Sequence, residues 1–158
     1  MDATVAAMPL EGRLEGREHR FPVRVYFEDT DLSGVVYHAN YLRYMERARS
    51  AMLRAAGIDQ RAAFEAGEGA YAIRDLAIRY AAPAKLDDTL VVASRLVTLR
   101  PASVVIHQRV IRDTVLLTDA SVEAAFVAPS GRPRRQPADW VAAFERLVWQ
   151  GEQGKSWS

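Results

Sequence analysis

Arg24-Val25-Tyr26-Phe27-Glu28-Asp29-Thr30-Asp31-Leu32-Ser33-Gly34-Val35-Val36-Tyr37-His38-Ala39-Asn40-Tyr41 joins a strand, an acidic turn and the start of a helix in one continuous run. The β-branched and aromatic residues at its beginning read as extended chain. Gly34 relieves backbone sterics in the turn, and an amphipathic helix begins within about residues 36 to 40. Upstream, Phe21 to Phe27 alternates apolar and polar side chains, as an edge or half-buried strand does. Downstream, Tyr41, Met45, Ala48, Met52 and Ala55 recur at three- and four-residue steps, while Arg43, Arg47 and Arg54 fall on the other side. Gly57 closes that helix.

A weaker helical patch, Gln60 to Ala66, leads through Gly67 and Gly69 into Tyr71–Tyr80, where the apolar period changes to two, and Pro83 ends the strand. Turns at Leu86-Asp87-Asp88, Arg100-Pro101-Ala102 and Asp113-Thr114 separate three further strands, Thr89–Leu99, Ser103–Arg112 and Val115–Val127. Pro129-Ser130-Gly131 turns the chain into a basic segment with Arg132, Arg134 and Arg135, and Pro137 opens a last helix through Trp140, Phe144, Leu147 and Val148. One strand, a long helix and a four-strand meander make an α+β pattern whose sheet must bury one face against the helix. Residues 1–19, with Gly12, Gly16 and dense alternating charge, read as a flexible N-terminal arm. Residues 20–150 form the folded domain and residues 151–158 a C-terminal tail.

The bulk composition narrows the function. A chain of 158 residues, 49% hydrophobic and 26% charged, fits one soluble globular domain. A formal net charge of +1 supplies no large field, which disfavours nucleic acid as the ligand. With no cysteine there is no thiolate nucleophile, disulfide framework or cysteine metal site, and a reducing compartment, the cytoplasm, is expected. Acidic Asp2 and Pro9 argue against an export signal, and no apolar run approaches the roughly 18 residues of a membrane span. His19, His38 and His107 are scattered rather than clustered as zinc ligands, and Ser33, Ser103 and Ser121 lack a G-x-S-x-G elbow.

The wording Asp31-x-x-Gly34-Val35-Val36-x-His38-x-x-Tyr41, placed after Arg24-Val25-Tyr26-Phe27-Glu28-Asp29-Thr30, resembles the signature of the 4-hydroxybenzoyl-CoA thioesterase family. The resemblance is closest to its Tol-Pal-associated branch, the YbgC-type acyl-CoA thioesterases. It implies a hotdog fold, here a curved five-stranded antiparallel sheet wrapped around a central helix, assembled as a homodimer or homotetramer. It also implies hydrolysis of short-chain or aromatic acyl-CoA to free acid and coenzyme A, without a metal or other cofactor. In such assemblies each cleft lies between two subunits, and residues near Tyr71 to Asp75 are candidates for the wall lent by the second copy. An acyl carrier protein is a further partner that the resemblance admits.

Thioester hydrolysis needs a carboxylate or water to attack the carbonyl and donors to hold the developing oxyanion. The family's catalytic aspartate falls on Asp31, as nucleophile or general base; its plainer role is to cap the turn before Gly34. His38 is expected in the first helical turn, offering its amide to the oxyanion, and its side chain to water or the leaving thiolate. Gly34, Val35, Val36, Tyr37 and Tyr41 are expected to border the substrate, although Tyr37 and Tyr41 also suit helix packing. Glu46 lies about 12 Å beyond His38 along the helix and either meets the far end of the acyl group or pairs with Arg43 or Arg49. Arg100, Arg134 and Arg135, in basic turns, are candidates for the phosphates of coenzyme A.

Two rival readings remain. A hotdog hydroxyacyl dehydratase would use a histidine with a helical carboxylate, and His38 with Glu46 could imitate that pair. A non-catalytic module would use the same groove to hold an acyl chain or an acyl carrier protein beside a Tol-Pal-type envelope complex.

Overall fold

The computed structural model describes residues 10–151. The arm's residues 1–9 and the tail's 152–158 lie outside the described residues. The order is β1 (Arg13–Glu15), β2 (Glu18–Arg24), a 3-10 turn (Phe27–Asp29), α1 (Asn40–Ala55), α2 (Gln60–Glu65), β3 (Ala70–Tyr80), β4 (Thr89–Leu99), β5 (Ser103–Arg112), β6 (Val115–Val127) and α3 (Ala138–Glu145). The strands form one antiparallel sheet in the order β1-β2-β4-β5-β6-β3. This is the expected hotdog arrangement with six strands rather than five.

The additional strand comes from the stretch read as a flexible arm. Residues 13 to 24 form a hairpin in which Leu14 faces His19 and Glu15 faces Glu18. A Cβ on Gly12 would come within 2.0 Å of the Arg20 carbonyl oxygen, so only glycine permits that approach of backbone to backbone. The charges there are paired in part by a contact distant in sequence: buried Glu18 receives Arg95 Nε, 77 residues away, at 2.7 Å, and its near neighbour Arg20 Nε at 2.9 Å. No local pattern announces such pairing.

α1 lies across the concave face of the sheet. Tyr41, Met45, Ala48 and Met52 are buried as their spacing requires, joined by Tyr44, Ala51 and Leu53, while Ala55 is exposed. The sheet can curve around the helix because register shifts interrupt the ladders at Ile73/Asp75, Leu96/Thr98 and Val110/Ile111. Two apolar clusters follow the helix. Tyr41, Tyr44 and Met45 pack with Leu90, Val92 and Leu117 at its beginning. Met52 and Leu53 pack with Ile106, Phe126, Trp140 and Phe144 at its end, where α3 closes the sheet. Among the described residues no helix is long and apolar enough to cross a membrane.

Candidate active site

The chain leaves β2 at Arg24, and Val25 exchanges backbone bonds with Asp87 and Asp88 at the mouth of β4. Asp29 then fastens the following loop to the helix. Its Oδ2 accepts from Tyr26 N–H at 2.8 Å, and its carbonyl accepts from Tyr37 N–H at 2.9 Å and Asn40 Nδ2 at 2.8 Å. Thr30 bridges to Val36, so residues 31 to 35 are pinched into a tight loop. Asp31 N–H donates to the Val35 carbonyl, Gly34 N–H donates to the Asp31 carbonyl, and Gly34 has φ +82°, the left-handed region that favours glycine. Asp29 is thus the clamp that sets the loop against α1.

Asp31 stands exposed on this loop. Its Oδ1 accepts both donors of Ser33, the hydroxyl at 2.5 Å and the amide at 2.8 Å. The Ser33 hydroxyl is the first cause, and the Ser33 amide the second, holding the Asp31 carboxyl below the usual range. Among the described residues Oδ2 has no hydrogen-bond partner, so one oxygen is oriented and the other is left available. Ser33 carries no nucleophile role. It is a residue whose part the sequence reading missed, since an Asp-x-Ser spacing is also an ordinary turn.

The helix starts later than expected. Asn40 is its first residue and Ala39 its N-cap, with no capping side chain, so His38 precedes the helix rather than occupying its first turn. The Tyr37–Asn40 turn still points the chain into the helix. Among the described residues the His38 amide has no acceptor, and the uncapped start adds further unpaired N–H groups and the positive end of the helix dipole. His38 is exposed, its ring 4.6 Å from that of Tyr37 and 6.0 Å from that of Tyr80, and the Tyr80 hydroxyl donates to the His38 carbonyl at 2.9 Å. A cleft of about 300 Å3 opens here between Val36, His38, Tyr41, Tyr80 and Pro83.

The remaining expected residues divide between this cleft and elsewhere. Val36 is buried and its N–H donates to the Ala84 carbonyl, Val35 is half-buried and bridged to Lys85, and Tyr37 is exposed. Tyr41 is buried, and its hydroxyl accepts the Ala84 amide at 3.1 Å, so it packs the helix while lining the cleft. Burial raises the Tyr41 phenol above its usual range.

Glu46 is not beside His38. It lines a separate cavity of about 220 Å3 with Arg49, Ser50, Tyr71 and Ile106. The His38–Glu46 pair that a dehydratase would need is therefore not assembled within one chain. Neither is the expected ion pair of Glu46 with Arg43 or Arg49 within 4 Å among the described residues.

The basic turns are also separate from Asp31 within one chain. Arg100 follows β4 and bonds Glu123 at 3.1 Å, while Arg134 donates to the Glu68 carbonyl next to the start of β3. Arg135 is exposed, with no recorded partner among the described residues. These sit at the end of the sheet where β4 finishes and β3 begins. Asp31 lies at the other end, and the eleven residues of β4 separate them by roughly 30 Å.

Known proteins resemble the chain over the same stretch. The model of the thioesterase superfamily matches residues 33–118. The acyl-CoA thioesterase YbgC of Haemophilus influenzae is 42% identical over 128 residues, which cover 80% of this chain and 94% of that protein. Among solved structures, a probable thioesterase from Bartonella henselae superposes with a TM-score of 0.72 at 36% identity, covering 76% of this chain and 99% of that one. The 4-hydroxybenzoyl CoA thioesterase from Pseudomonas sp. strain CBS-3 superposes with a TM-score of 0.74 at 25% identity, covering 80% and 99%.

Proposed function

The chain belongs to the thioesterase superfamily and hydrolyses acyl-coenzyme A thioesters, and on that premise we propose that Asp31 is its catalytic carboxylate. The observation that carries this assignment is the division of labour on Asp31, with Ser33 holding Oδ1 and Oδ2 left without a partner among the described residues. In one course Oδ2 bonds to the thioester carbonyl carbon, the carbon–sulfur bond breaks, and coenzyme A leaves as a thiolate that takes up a proton. Water then cleaves the mixed anhydride, releasing the acid and restoring the carboxylate. In the other course Oδ2 removes a proton from water as the water oxygen bonds to the carbonyl carbon; the tetrahedral intermediate then collapses with cleavage of the carbon–sulfur bond, and coenzyme A leaves as a thiolate that takes up the proton, freeing the acid and the carboxylate. Both develop an oxyanion, for which the unpaired His38 amide and the uncapped start of α1 are suited. Neither course requires a resident metal or cofactor.

The working unit of this proposal is a homo-oligomer. β3 is an eleven-residue edge strand that has no partner strand on its outer side among the described residues, and it exposes Ile73 and Tyr80. Antiparallel pairing of two such strands about their midpoints would set Ala70 of one copy opposite the partner's Tyr80 and Ile73 opposite the partner's Ala77. That geometry also carries Arg134 toward the partner's Asp31, which is how the basic turns could meet the phosphates of coenzyme A. The cavity sizes suit short-chain or aromatic acyl groups, and the cytoplasm is the compartment that matches the substrate.

The test is thiol release from short, long and aromatic acyl-CoAs by the intact protein and by Asp31→Asn at matched folding. Turnover by the intact protein alone supports the assignment; equal turnover by both removes Asp31 from the chemistry. If the folded intact protein releases thiol from none of them, an acyl or acyl-carrier-protein binding role replaces hydrolysis. Rapid acid quenching followed by peptide mass spectrometry separates the two courses, since only the first leaves an acyl group on the Asp31 peptide.

A further inference from the structure

Tyr80 is the last residue of β3, and its backbone is set by pairing with Thr118 of β6. Its ring packs edge-on against two others, 6.0 Å from His38 at 89° and 5.7 Å from Tyr41 at 65°. Aromatic pairs favour such contacts, so the side chain is held although the residue is 44% exposed. The hydroxyl reaches 42 residues back along the chain to donate to the His38 carbonyl at 2.9 Å.

That carbonyl stands outside the helical ladder. Asn40 N–H donates to the Tyr37 carbonyl and Leu42 N–H to the Ala39 carbonyl, so the first turn of α1 passes over His38. Among the described residues the Tyr80 hydroxyl is the one donor that the His38 carbonyl receives. The Tyr37–Asn40 turn also leaves the amides of its central residues, His38 and Ala39, without an acceptor among the described residues. The His38 carbonyl and the Ala39 N–H belong to one planar peptide. A hydrogen bond accepted at the carbonyl fixes the direction of that N–H and, by polarising the peptide, strengthens it as a donor. A capping side chain would order the start of α1 by occupying its N–H groups, and α1 has none. Holding the carbonyl instead orders the peptide and keeps its N–H free. A tyrosine hydroxyl has a single proton to donate, here engaged by His38, so Tyr80 acts through that peptide rather than on the substrate. Burial raises the Tyr80 phenol above its usual range, which keeps the donor protonated at neutral pH.

Resting on the thioesterase reading above, we propose that Tyr80 is a positioning residue of the reaction, holding the His38–Ala39 peptide so that the His38 and Ala39 amides together receive the oxyanion. The oxyanion site is thereby tied to the end of the edge strand β3 and not to α1 alone.

Tyr80→Phe keeps the ring contacts and deletes the bond. Thiol release from benzoyl-CoA and butyryl-CoA is compared in the intact protein and the variant. Removing an oxyanion donor outright costs about 10^2- to 10^3-fold in kcat, so donors present but unheld are expected to lose about ten- to a hundredfold. KM is expected to stay within about threefold, because the bond serves the transition state more than the bound ester. A kcat within about threefold of the intact value overturns the proposal, as does a rise in KM with kcat kept.

Two spectroscopic readings separate a held peptide from general support of the fold. In the ligand-free protein, the Ala39 amide resonances are expected to move in Tyr80→Phe, since their peptide loses its bond at the carbonyl; resonances left in place overturn the proposal. In Asp31→Asn, expected to bind the ester without turning it over, the infrared carbonyl stretch of bound benzoyl-CoA should lie below its value in water. Adding Tyr80→Phe is expected to return part of that shift. A stretch left unmoved overturns the proposal, and so does one that moves while the Ala39 resonances stay, since the hydroxyl would then touch the substrate. Absence of thiol release by the intact protein, or full release by Asp31→Asn, would instead sink the thioesterase assignment beneath the proposal, and the Ala39 resonances are read independently of either.

Discussion

The two ends of α1 are finished to different degrees. At its C-terminal end Leu53 and Met52 meet Trp140, Phe144 and Phe126, and the chain itself supplies the covering helix. At its N-terminal end Tyr26, Phe27, Leu32 and Tyr37 are exposed around an equally exposed Asp31. A folded chain does not leave such aromatic and aliphatic surface in one place without a use for it. The closed end holds the fold together, and the open end is available to substrate and to a second copy.

Substitutions at the two ends should therefore fail in different ways. Asp31→Asn is expected to lower kcat/KM by about 10^2- to 10^4-fold, the range for loss of a positioned acid–base group, with the melting temperature unchanged because Asp31 is exposed. Phe144→Ala, at the closed end, empties a wholly buried site and is expected to cost about 3–5 kcal/mol in denaturant unfolding. Its residual folded fraction should turn over substrate with an unaltered KM. If Asp31→Asn destabilised the protein while Phe144→Ala left stability untouched, the distinction between the ends would be lost.

Tyr41→Phe probes the boundary between them. The Tyr41 hydroxyl accepts the Ala84 amide in a buried setting, so its removal strands a backbone donor at a cost of about 1–3 kcal/mol. Tyr41 also lines the cleft at His38. A stability loss with little change in kcat would place Tyr41 on the structural side; a fall in kcat with stability kept would move it to the site.

The same division explains what was legible in the sequence. α1, β5 and β6 announce themselves because their burial follows one period within one segment: Tyr41, Met45, Ala48 and Met52 on the helix, Val104, Ile106, Gln108 and Val110 on β5, and Ala120, Val122, Ala124 and Phe126 on β6. β1 does not, because Arg13, Glu15 and Glu18 look solvated until Arg20 and Arg95 are brought against the carboxylates. His19, assigned to the same arm, is wholly buried opposite Ser94 of β4. At the site, the Asp31 loop was legible from its glycine and its motif. Tyr80 was not, since the carbonyl it holds, that of His38, lies 42 residues away before α1. Ser33 was dismissed as a nucleophile, and its actual contact, two hydrogen bonds to Asp31 Oδ1, requires the folded loop to be seen.

Ser33→Ala carries the smallest expected effect and refines the comparison furthest. The acid limb of kcat/KM against pH reports the carboxyl group of the free enzyme. In the intact protein that limb should fall below the ordinary aspartate value of about 3.9, because the Ser33 hydroxyl, and after it the Ser33 amide, favours the ionised form. Deleting the hydroxyl leaves the amide, so the limb should move upward toward that value. At neutral pH the carboxylate is ionised in both proteins, so basicity alone would leave the plateau level or raise it slightly. A plateau that falls while the limb rises would mean that the hydroxyl's larger contribution is to aim Oδ2. A limb that stays in place would mean that the group titrating in catalysis is not Asp31.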